Sequence, residues 1–143
     1  MQCIRVLTLT TAISLLVSTK ALAALYFITF SLDTEELYSG IQLSIDYSGA
    51  SGEFGGEGEE VLCDVNSGLG ALGLENDVDA SDELRMLVLG VTEFEGAVDL
   101  YECTFSKTGA APQASDFTIT VDDWLADTHS TAPTVSISDI SAK

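Results

Sequence analysis

Apolar and polar residues alternate without a break from Ile41 to Tyr47. Ile41, Leu43, Ile45 and Tyr47 fall on one side, and Gln42, Ser44 and Asp46 on the other. A period of two marks a β-strand with one face buried and one wet, because successive side chains leave opposite faces of the pleat. The same period returns at Tyr101, Cys103 and Phe105, at Phe117, Ile119 and Val121, and in TVSISDI (134–140). Outside the first 23 residues no segment sustains a helical period. Strand pairing, and not helix packing, therefore has to supply the core.

The remaining segments fit that reading. ALYFITFSLD (24–33) is rich in aromatic and β-branched residues and runs into polar DTEE, which predicts a strand and then a turn. After Tyr47 the chain enters SGASGEFGGEGEE, whose five glycines between 49 and 58 oppose a helix through their backbone entropy; an exposed acidic loop is predicted, with Phe54 anchoring a short strand. The chain then returns through EEVLCDV to Cys63. SGLGALGLENDVDASDE (67–83) reads as a glycine-rich stretch and an acidic turn, LRMLVLGVTEF (84–94) as a central strand, and AVDLYECTFSK (97–107) as a separate strand. Eight or nine short strand candidates with turn signals between them predict an all-β fold, an antiparallel β-sandwich. An immunoglobulin-like strand order is written in the same alternation.

Residues 1–23, MQCIRVLTLTTAISLLVSTKALA, hold no acid, a basic Arg5, a short apolar run and a small-residue ending, Ala21-Leu22-Ala23. They are expected to be a secretory signal peptide cleaved after Ala23, leaving a chain with no membrane span. Residues 24–143 are enough for a single domain and too few for two ordinary ones. All 23 acidic residues lie in this part, against three bases, Arg85, Lys107 and Lys143, so its formal charge is −20. Such a charge excludes nucleic acid as a partner, because phosphate binding needs basic groups. It favours solubility at the cost of self-repulsion. With Cys3 removed, Cys63 and Cys103 form an even pair in an exported chain, which predicts a disulfide tying two strands together.

The order IQLSIDYS (41–48), LRMLVLGV (84–91), GAVDLYECTF (96–105), DFTITVDD (116–123) resembles the bacterial cohesin-like modules of the carbohydrate-binding-domain superfamily. The resemblance implies a cohesin-like jelly roll over residues 24–143 and a non-catalytic recognition or assembly role. Familiar cohesins carry an additional first strand and more basic residues and generally lack this cysteine pair.

Chemical constellations are sparse. His129, the single histidine, sits in polar ADTHSTAP with Asp127 and Ser130 as neighbours, and no nucleophile-elbow pattern accompanies it. With so many acids, carboxylate pairs arise by chance, so a glycosidase pair is not singled out. For calcium, Asp77, Asp79 and Asp82 are the densest short cluster and Glu57, Glu59 and Glu60 a second; neither follows the EF-hand pattern. Trp124, at a strand end after Asp122-Asp123, is the candidate platform for a sugar, with Tyr26, Tyr38 and Tyr101 as further aromatics.

The expected function is thus a secreted, non-catalytic recognition or assembly module with a protein partner. A carbohydrate-binding module using Trp124 on a polysaccharide is one alternative. A fibre or surface-layer subunit whose missing first strand is supplied by a neighbour is another.

Overall fold

A computed structural model describes residues 22–56, 58–127 and 131–143. It is all-β and antiparallel: a single sheet, curled into a half-barrel, with no α-helix and only four single 3-10 turns among the described residues. No helix among them is long and apolar enough to cross a membrane.

Two long strands form the frame. β1 (Ala24–Asp46) and β5 (Glu83–Lys107) pair from Ala24 opposite Lys107 to Asp46 opposite Glu83. Their register slips between Phe30 and Ser31 and again on either side of Tyr38. Slips of this kind bend and twist a ribbon, and here they separate a first half, Ala24–Thr34 against Gly96–Lys107, from a second, Gly40–Asp46 against Glu83–Leu89. The predicted turn at DTEE is therefore corrected: those polar residues occupy the bend of a continuous strand, where half the side chains reach water. The segments 84–94 and 97–107 are likewise one bent strand and not two.

Shorter strands flank the frame. β2 (Gly52–Phe54) and β3 (Cys63–Val65) pair with the far half of β5, and β4 (Ala71–Val78) with its near half. On the other side, β6 (Thr118–Leu125) and β7 (Thr134–Ala142) pair with the two halves of β1.

Curling turns the same face of each half inward. Ile28, Phe30 and Leu32 meet Ile41, Leu43 and Ile45 from β1, with Leu84, Met86, Val88, Tyr101, Cys103 and Phe105 from β5, all buried in one core. Four rings clasp the halves together at one end. Phe54 packs edge-on to Tyr47 at 5.1 Å and to Phe105 at 5.0 Å, and Phe105 to Phe117 at 5.3 Å, the edge-to-face geometry that ring quadrupoles favour. Farther along, the Tyr101 hydroxyl donates to the Leu87 carbonyl at 2.9 Å, joining one half of β5 to the other. Cys63 lies directly opposite Cys103 in the ladder and is bonded to it, so the predicted disulfide ties β3 to β5.

Candidate functional site

β4 is the element that sequence reading missed, and it is built inside out. Its inner face carries Ala71, Gly73, Glu75 and Asp77, while Leu72 and Leu74 are 69% and 65% exposed on the outer face. Gly73 is a glycine for a steric reason: a Cβ there would collide with the Tyr101 hydroxyl. The inner acids lie against phenols. Glu75 sits beside Tyr101, whose phenol burial pushes far above the usual range, with Glu75 adding to the effect. Asp77 is 4% exposed, and its Oδ1 accepts a 2.8 Å hydrogen bond from the Tyr47 hydroxyl while its Oδ2 has no partner. Burial raises the Asp77 carboxyl to about 6, and the negative charges of Asp79 and Asp82 reinforce the rise.

The outer leucines of β4 continue across the sheet. Leu72 is opposite Leu89, Leu89 opposite Gly40, and Gly40 opposite Leu125, so one row crosses four strands with apolar side chains on both sides of a glycine. Leu89 and Leu125 close over that glycine, since a Cβ on Gly40 would stand 3.0 and 3.1 Å from their methyl carbons. The next row runs Leu74, Leu87, Gln42, Asp123, and turns polar toward β6. Leu125 is 57% exposed. Beyond these rows the face is polar: Ser44 donates to Asp122 at 2.6 Å, and Arg85, the base on this face, is held by Glu83 at 2.6 Å. The other two bases among the described residues are engaged elsewhere, Lys107 with Asp116 at 3.7 Å and Lys143 over the Phe27 ring at 4.8 Å.

Two hollows mark this face. One of about 120 Å³ lies among Gly40, Leu89, Trp124 and Leu125. The other, of about 410 Å³, spans β4, β5 and β1, lined among others by Leu74, Leu87, Gln42, Arg85 and Glu59.

The residues singled out from the sequence fall as follows. Asp77 is the next-to-last residue of β4, and Asp79 and Asp82 belong to the turn after it, where Asp79–Ser81 form a 3-10 turn and Asp82 is left-handed at φ 50°. Their charges are close enough to act on Asp77, yet no group of three or more His, Cys, Asp or Glu among the described residues is arranged to hold a metal ion. Glu59 and Glu60 are exposed. Glu57, His129 and Ser130 lie outside the described residues, as do residues 1–21 of the expected signal, while Asp127 is exposed. Trp124 is half-buried against the core, and Tyr38 and Tyr101 are interior, so these tyrosines present no ring to a sugar. The signal that would have located β4 is the alternation A-L-G-L-E-N-D-V itself, obscured by its glycine neighbours.

No protein-family model matches the chain, and no curated protein or solved structure is significantly similar to it.

Proposed function

We propose that this chain is a secreted, non-catalytic recognition module that binds another protein, outside the cell or at its surface, through the outer face of β4, β5, β1 and β6. The observation that carries this reading is the leucine row. Single exposed leucines are ordinary, but Leu72, Leu74 and Leu125 stand out together on a face they share with Leu87 and Leu89, rimmed by polar residues, which is how association surfaces differ from the rest of a protein's exterior. The Cys63–Cys103 bond agrees with an oxidising compartment and so with export. We read the curled sheet as a cohesin-like jelly roll, a reading supported by its antiparallel strands and by the single apolar core that its inner face encloses.

The alternative of a subunit completed by a neighbouring strand has one observation in its favour. β4 pairs with β5 along one edge, and on its other edge the described residues supply only an isolated bridge from Asp77 to Gly58.

Paired capture experiments test the main reading. The oxidised chain and its Leu72→Asp/Leu74→Asp variant are each immobilised and exposed to the native extracellular proteome. The expected result is a protein retained by the first and lost by the second, with the variant's disulfide and thermal transition intact. Equal retention by both removes the leucine face from the account.

A further inference from the structure

β4 offers a free backbone edge as well as an exposed apolar face, and the two ask for the same kind of partner. The Asp77 amide points away from β5 and donates to the Gly58 carbonyl at 2.9 Å. Two-residue alternation then turns the amides and carbonyls of Gly73 and Glu75 to the same side, where no strand among the described residues meets them. A strand laid along this edge would set alternate side chains beside Leu72 and Leu74 on the outer face, and the intervening ones beside Gly73 and Glu75 on the inner. Cross-strand neighbours select like for apolar pairs and opposite for charges. The hollow of about 410 Å³ on the outer face, spanning β4, β5 and β1, agrees with the apolar half of that requirement: Leu74 and Leu87 line it to take an apolar side chain, with Glu59 and the Glu83-held Arg85 at its rim.

We propose that the partner segment is an extended peptide with alternating apolar and basic residues, which adds to the free edge of β4 as a further strand. This rests on the leucine-face reading and narrows it. A second copy of the chain is a poor occupant, because residues 24–143 carry 23 acids against three bases and β4 would bring its own Glu75 to the edge. A basic strand meets complementary charge at Glu59 and Glu75, on a face whose Arg85 is already held by Glu83.

The test uses the full oxidised chain and fluorescent peptides of about ten residues, the length of an ordinary strand: alternating valine–lysine, valine–glutamine and valine–glutamate. By fluorescence anisotropy the valine–lysine peptide is expected to bind at least about tenfold more tightly than the glutamine peptide, and the glutamate peptide not at all. Amide exchange at Gly73 and Glu75 is expected to slow in the complex. Glu59→Gln/Glu75→Gln should weaken the lysine peptide about tenfold, while the charge-matched pair Glu93→Gln/Glu95→Gln, exposed at the β1–β5 bend, should change it by less than about twofold.

Equal loss in both double variants would reduce the effect to overall charge and overturn the proposal. Lysine and glutamine peptides bound alike, both lost in Leu74→Asp, would overturn the basic partner while the leucine face stands. Failure of every peptide, with protein capture still dependent on Leu72 and Leu74, would overturn strand addition alone. Self-association abolished by Leu72→Asp would put a second copy on the face, and would likewise overturn it.

Discussion

Asp77 is a carboxyl placed where its charge is least welcome. It is buried, one oxygen is held by Tyr47, the other has no donor, and Asp79 and Asp82 repel it. Its folded value of about 6 stands above the ordinary 3.8, so between those values the folded chain holds a proton that the unfolded chain releases. Stability therefore rises as pH falls from 7 toward 4 and is lost again as pH climbs through about 6, the reverse of a salt-bridged carboxylate. Across that window the contribution is on the order of 1–3 kcal/mol. Urea midpoints measured from pH 7 to pH 4.5 should climb for the native chain, and Asp77→Asn should flatten much of that climb. A profile unchanged by the substitution would place the effect in the overall charge. The sequence shows the acids at 77, 79 and 82 as one solvated turn; it does not show that Asp77 alone turns inward, because that depends on Tyr47, which follows β1 thirty positions away.

Among elements, those with strict alternation were legible. Ile41, Leu43, Ile45 and Tyr47 are all buried, and so are Tyr101, Cys103 and Phe105, with Cys103 bonded to Cys63 as an even pair of cysteines in an exported chain predicts. DTEE was not, since a polar run looks the same whether it turns or bends a long strand between two register slips. β4 was obscured for a deeper reason. Alternation says that two faces differ, not which one is inward, and by default leucines go to the core. Here Gly73 admits Tyr101 and Glu75 shares the inner face, so Leu72 and Leu74 are left outside. β3, three residues long, is joined to β5 by its ladder and by the Cys63–Cys103 bond. Closing a loop across a separation of 40 residues constrains the unfolded chain by about 4 kcal/mol in the chain-entropy estimate. Cys63→Ala/Cys103→Ala should lose stability of that order in denaturant titrations. A loss below about 1 kcal/mol would show that β3 is held by its ladder alone.

At the scale of the whole molecule, one curled sheet wraps its core with the inner faces of two long strands and leaves an outer face where leucines from three strands meet acidic neighbours. The high negative charge opposes pairing of such a face with its own copies, and on the outer edge of β4 the described residues supply only the bridge from Asp77 to Gly58. The most direct measurement is where on this surface a partner sits. A photo-reactive benzophenone side chain is placed at position 74 on β4, or at the exposed position 139 on β7, and the oxidised chain is irradiated in the native extracellular proteome. The account predicts a defined cross-linked protein from position 74 and none from position 139. Cross-linking from 139 alone, or equally from both, would contradict it.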